Sequence, residues 1–259
     1  MYKPRYTITN EIHRLKAHVH KRANAAPVVH ATQQMYYDAR IRNAHSTLVI
    51  ENNGFLTHEQ VENVVEGKHV PEIQIETQAI KNAYEAYTML HHKHFESIDP
   101  YSTVYMSSVH QAFMVGLVKD AGRFRSSDVV AAGQKHTNTP PFAKLMPGYV
   151  DNLLDWAKTS DEHPLIKSFV FHYEFISARP FSEGNGHVAR MWQLLLLLPL
   201  GNISLRTPIL SIVRERREEY HNILAVSDKA TGSTKFIEFM LQALLDALTE
   251  YEKDPAVKN

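Results

Sequence analysis

Apolar residues recur along this chain at intervals of three and four, and each run of that pattern predicts a helix. Ile8, Ile12, Leu15 and Val19 share one face behind Thr7, a candidate N-cap. Val61, Val64 and Val65 form a second stripe that ends at Gly67. Further helices are predicted over Ile73–Phe95, over Ser107–Lys119 with a stop at Gly122, and over Tyr149–Lys158 after Pro147. Pro164 opens another, with Phe169, Tyr173 and Ile176 on its stripe. Val188–Leu198 (ended by Pro199), Ile209–Ser227 and Thr234–Tyr251 complete the set. One region breaks the rhythm. In "FRSSDVVAAGQKHTNTPPFAKL", β-prone Val129 and Val130 precede a polar turn and the helix-forbidding Pro140–Pro141 pair, which reads as a short β-hairpin flap. The expected fold class is all-α with one small β element.

Composition narrows the picture. With 259 residues, 44% of them apolar, the chain can bury a substantial core. Its 28 basic and 28 acidic residues balance, which argues against nucleic acid as the main partner. There is no cysteine, so disulfides, thiolate nucleophiles and cysteine–zinc sites are excluded. The start lacks the apolar stretch of a signal peptide, and "LLLLLPL" is too short to span a bilayer, so a cytoplasmic protein without a membrane partner is expected. His91, His92 and His94 crowd one segment but lack an evident third ligand and read as a solvated helix face.

The candidate chemistry lies in "SARPFSEGNGHVARMW", between two predicted helices. Gly184 and Gly186 permit backbone angles that let successive N–H groups converge on an anion, and the following helix aims its positive dipole end at the same place. Glu183 could hold a Mg²⁺ ion that bridges phosphate oxygens. Arg190, one turn into the helix, can pair with a terminal phosphate. A lone glycine pair is more often a simple turn; the acid, the asparagine and the arginine together favour phosphate.

"FHYEFISARPFSEGNGHVAR" resembles the signature of the Fic family, H-P-F-x-[D/E]-G-N-G-R-x-x-R. Phe175, Pro180, Phe181, Glu183, Gly184, Asn185, Gly186 and Arg190 match, whereas Arg179 replaces the family histidine and His187 the first arginine. "STLVIENNGFLT" is similar to the family's inhibitory helix, with Thr47, Glu51 and Asn52 in matching places. "HQAFMVGLVKDAGRFR" resembles the entry into the flap through Gly122, Phe124 and Arg125, and "RREEYHNILAVSD" the distal helix, where Tyr220 and His221 replace a tyrosine pair near the adenine.

The resemblance implies a Fic-like helical bundle with a β-hairpin flap, residues 1–70 forming an N-terminal helical region and 71–259 the core of one compact unit. It implies AMP transfer from ATP, with Mg²⁺, to a hydroxyl of an unidentified target protein docking at Val129–Pro141; self-association stays open. Gly184, Asn185, Gly186, His187, Arg190, Tyr220 and His221 would bind the nucleotide, Glu183 the metal, and Glu51 would pair with the Arg190 fork in a bidentate manner. Arg179 stands at the catalytic position, yet a guanidinium has no lone pair to act as base. Strongly impaired transfer is the first expectation. A non-catalytic nucleotide-binding or protein-interaction module is the alternative.

Overall fold

The computed structural model describes residues 2–25, 32–51, 55–90, 99–128, 142–201, 207–230 and 232–253. Among them run eleven helices and no strand: α1 (Asn10–Ala25), α2 (Gln33–Glu51), α3 (His58–Val65), α4 (Thr77–Thr88), α5 (Thr103–Met114), α6 (Met146–Thr159), α7 (Pro164–Ala178), α8 (Asn185–Leu197), α9 (Ile209–Glu215), α10 (Arg217–Ala230) and α11 (Thr234–Lys253). The predicted flap at Val129–Pro141, Asn52 and the histidines at 91, 92 and 94 lie outside the described residues.

The sequence is apolar nearly all round α7 and α8, and such helices belong in a core. They pack on each other, and every residue from Val188 to Leu197 is buried. Trp192 is fully enclosed and donates its indole N–H to the Pro100 carbonyl at 2.9 Å, so its polar edge is satisfied. Around this pair, α5 packs on α8, α6 and α11 on α7, and α1 on α11. The N-terminal strand of chain is tied to the opposite terminus: Thr7 N–H donates to Thr234 Oγ1 at 2.8 Å and Ser233 N–H to the Arg5 carbonyl at 2.9 Å.

Several helix boundaries differ from the sequence pattern; α5, expected over Ser107–Lys119, runs Thr103–Met114 behind a Ser102 cap. Thr9, not Thr7, caps α1, its Oγ1 accepting from Ile12 N–H at 3.1 Å. The long helix expected from Ile73 becomes a 3₁₀ turn at Pro71–Ile73 followed by α4, whose end tightens through Met89 N–H to Ala86 and Leu90 N–H to Tyr87. Ile209–Ser227 splits at Arg216, where the backbone leaves helical angles. That break lets Arg214 reach His45 at 2.8 Å while Arg216 pairs with Asp246 at 2.7 Å.

Helix α2 is the element that positions the site. It packs against α4, α9, α3 and α8, so polar Asn43, His45, Ser46 and Thr47 are buried along with its apolar residues. Carbonyls of its last turns are met by donors from other helices. Arg190 Nη2 reaches the Thr47 carbonyl at 3.3 Å, Arg217 Nη1 the Val49 carbonyl at 3.4 Å and His221 Nε2 the Ile50 carbonyl at 3.1 Å. Cationic groups at a helix C-terminus also oppose its dipole.

Candidate active site

The loop joins α7 to α8 in six residues, Arg179 to Gly184. Arg179 ends α7 at φ 49°, the one non-glycine residue in the left-handed region among the described residues. Its N–H closes on the Phe175 carbonyl at 3.1 Å, as in a left-handed helix cap. The Asn185 side chain then fastens the loop: Oδ1 accepts from Phe181 N–H and Nδ2 donates to the Phe181 carbonyl, both at 2.9 Å. Gly184 starts α8 at φ 74°, where a Cβ would also run into the Met114 sulfur. A Cβ on Gly186 would overlap the Glu51 carboxylate. A carboxylate therefore lies directly against the first turn of α8, where free N–H groups and the positive dipole end favour an anion.

Arg190 holds that carboxylate. The arginine is completely buried, and its Nη2 donates to Glu51 Oε1 at 2.7 Å. Its Nε donates to Thr47 Oγ1 at 2.9 Å. The Thr47 hydroxyl, an acceptor on that side, is also hydrogen-bonded to His187 Nδ1 at 3.0 Å. The expected bidentate fork is corrected here: Thr47 occupies the Nε side, Glu51 takes one nitrogen, and buried Nη1 has no hydrogen-bond partner among the described residues. Burial works against the charge of Glu51, but Arg190, with His187 and His221, outweighs it and holds the carboxyl down at about 2. The Glu51 side chain keeps 34% of its surface exposed, so the pair lies at the surface on the Glu51 side and in the core on the Arg190 side.

The histidines near the loop are committed elsewhere. His187 stacks on Phe113 at 5.2 Å, and burial pushes its pKa down to about 4. His172 is fully buried, with Nδ1 on Gln193 Oε1 and Nε2 on the Tyr220 hydroxyl at 2.9 Å; burial pushes it down to about 3. Tyr220 is only 1% exposed and lies in this network, whereas half-buried His221 faces α2. Glu183 is exposed on the loop. One carboxylate beside an anion-binding turn suits Mg²⁺, which takes one or two carboxylates and completes its shell with phosphate oxygens and water. No group of three histidine or acidic side chains able to hold a metal occurs among the described residues.

Sequence reasoning missed what stands on the outer side of the loop. Arg125 is 4% exposed; its Nε donates to the Arg179 carbonyl at 2.6 Å, and its N–H to the Pro180 carbonyl at 2.9 Å. Asp120 accepts from the Ser182 hydroxyl at 2.8 Å. His110, wholly buried, donates from Nε2 to the Glu183 carbonyl at 3.0 Å and accepts from Gly122 N–H at 2.8 Å. Gly122 and Arg125 were visible as a motif, but nothing in a lone helical histidine reveals a partner 73 residues away. Asp128 accepts from Ala143 N–H at 2.6 Å and so joins the two ends of the segment 129–141.

Fold and site together define a helical domain in which Arg190 holds a carboxylate of its own chain against the first turn of α8. A family model described as Fic/DOC family matches residues 100–197, and the crystal structure of a Fic family protein from Desulfovibrio desulfuricans G20 superposes with a TM-score of 0.86 at 36% identity, covering 96% of this chain and 76% of that one. The chain belongs to the Fic/DOC family. A probable protein adenylyltransferase of Aquifex aeolicus (strain VF5) is 28% identical over 116 residues, 44% of this chain and 33% of that protein. The protein adenylyltransferase Fic of Drosophila grimshawi is 24% identical over 132 residues, 51% of this chain and 26% of that one. The chain thus spans about a quarter to a third of the curated relatives it matches. Fic-1 (aa134–508) of C. elegans, at 18% identity and a TM-score of 0.76, shares the fold; this chain covers 71% of that one and 93% of itself aligns.

Proposed function

We propose that this Fic domain binds a nucleoside polyphosphate, ATP with Mg²⁺, in the α7–α8 loop, that Glu51 competes for the phosphate position, and that AMP transfer to a protein hydroxyl is strongly impaired. One observation carries the binding half. Arg190 is buried with a carboxylate as its counter-anion, set against Gly186, and retains an unpaired Nη1. An unpaired buried donor is costly, and a phosphate replacing Glu51 would supply both the charge and the missing acceptor. Glu183 would hold the metal from its exposed place on the loop, and the metal would neutralise phosphate charge. Gly184 and Gly186 leave room for the anion; Asn185 keeps the loop closed.

Support for impaired transfer comes from the proton acceptors. Arg179 has none to offer. His172 is sealed in the core against Tyr220, and His187 is held between the Thr47 hydroxyl and the stacked Phe113 ring, so neither stands where Arg179 does. A target protein would dock at the segment 129–141, whose ends are joined by Asp128, and the activity would be that of a protein that has kept binding and lost most of its chemistry.

Calorimetric titration of ATP with Mg²⁺ into the full chain and into Glu51→Gly tests the binding half. Removing the plug is expected to tighten binding roughly 10- to 100-fold, the range for a charge-assisted contact. Equal affinities would overturn the gating role of Glu51. No binding to either protein would overturn the nucleotide site itself.

A further inference from the structure

A loop that binds anions must do two things at once: point N–H groups inward and keep its carbonyl oxygens, which repel anions, turned away. In this chain the second task is assigned to side chains outside the loop. Arg125 takes the Arg179 and Pro180 carbonyls, through its guanidinium and its own N–H. Asn185 takes that of Phe181. The Glu183 carbonyl, next to the two glycines, is taken by His110 at 3.0 Å.

His110 is built for one orientation. Nδ1 accepts from Gly122 N–H at 2.8 Å, so that nitrogen carries the lone pair and Nε2 the proton. The ring lies flat on Phe181, with centroids 3.7 Å apart and planes within 3°. Three contacts therefore fix the ring, and the remaining N–H has one direction in which to point. Protonation would remove the acceptor that Gly122 uses, and burial holds His110 below the ordinary histidine pKa, which keeps the neutral form in place. The same ring joins the loop to the segment from Gly122 through Arg125 that leads toward residues 129–141.

We propose that His110 is a positioning residue of the anion loop: by holding the Glu183 carbonyl outward it orients the Glu183–Gly186 backbone toward the ligand and ties that backbone to Gly122. This rests on the reading of the loop as a nucleotide site. His110 touches no ligand; it acts through the backbone of residue 183.

The test separates the two ideas by starting from Glu51→Gly, in which the plug is gone. In that background His110→Asn keeps an acceptor for Gly122 but places no donor at Glu183, and His110→Phe keeps the stack on Phe181 and loses both bonds. Thr9→Ala, which removes the cap of α1 far from the loop, serves as the control for lost stability. Titration with ATP and Mg²⁺ is expected to show about tenfold weaker binding in both His110 variants and unchanged binding in the control. The ¹⁵N shifts of the His110 ring are expected to report a proton on Nε2 alone at neutral pH. Full affinity in His110→Asn, or the opposite tautomer, would overturn the positioning role while leaving the nucleotide site standing. Failure of the Glu51→Gly parent to bind would remove the nucleotide site and this inference with it. If the variants are less folded than the control by circular dichroism, exchange of the His110 ring N–H in the Glu51→Gly protein decides: an Nε2 proton protected from solvent, as its bond to the Glu183 carbonyl requires, supports the role, and a freely exchanging one overturns it.

Discussion

In a Glu51→Gly background, Arg179→His is expected to raise incorporation of labelled AMP into protein by roughly 100- to 10,000-fold, the range that a well-placed general base contributes. The backbone at 179 is held independently of its side chain. Its carbonyl is clamped by Arg125 at 2.6 Å and its N–H by Phe175 at 3.1 Å, neither of which depends on the side chain. A left-handed φ of 49° strains any side chain, but histidine is enriched there relative to most residues, so the substitution does not work against the fold. The Glu51→Gly change is needed because a restored base gains nothing while the plug holds Arg190. The four proteins of the cycle therefore separate the effects. Glu51→Gly alone should bind nucleotide without transferring AMP, Arg179→His alone should transfer slowly, and only the double variant should transfer fast. Labelling by Glu51→Gly alone that matches the double variant would sink the idea that Arg179 is what limits the chemistry.

Much of this site could be read from the residues in order, because its parts are local. Pro164 and Pro199 bracket α7 and α8, and the glycines and Arg190 sit within two turns of each other, so the helix–loop–helix unit needed no tertiary knowledge. Helix α2 was harder. "STLVIE" was legible as its last turns, yet the full run from Gln33 shows no clear stripe, because neighbours pack on several sides and bury Asn43, His45, Ser46 and Thr47 as well as its apolar residues. Periodicity reports a helix with one wet face; α2 has too little of one. The single Nη2 contact to Glu51 was likewise invisible, since it depends on Thr47 reaching Nε first. His110 escaped, and Arg125 showed only as part of a motif, for a different reason. Their partners are carbonyls, which leave no mark on sequence.

The second large effect is on stability, which is expected to fall steeply as pH drops below about 6.5. Burial holds His172 at about 3 and His187 at about 4, against an ordinary value of 6.5. His45, His110, His163 and His221 are shifted in the same direction, burial again being the first cause. For each, the unfolded chain takes up a proton below pH 6.5 that the folded chain refuses, so stability is complete above that value and declines as pH falls towards the folded pKa. His172 and His187 alone amount to a loss on the order of 4 kcal/mol at pH 5, a large share of the 5–15 kcal/mol typical of a folded domain. Glu51 does not rescue the fold there: its pKa of about 2 keeps the pair with Arg190 intact at pH 5, and that contribution fades only between its unfolded value of 4.5 and its folded one. Urea unfolding at pH 7.5, 6.5 and 5.5 measures the trend, with the midpoint expected to decrease at each step. His172→Gln, which cannot charge, should flatten the slope by close to one proton even if it lowers stability at pH 7.5. A midpoint that stays level from pH 7.5 to 5.5 would mean that the core histidines do not resist protonation, and that the polar network of His172, Gln193 and Tyr220 behind Arg190 is open to water.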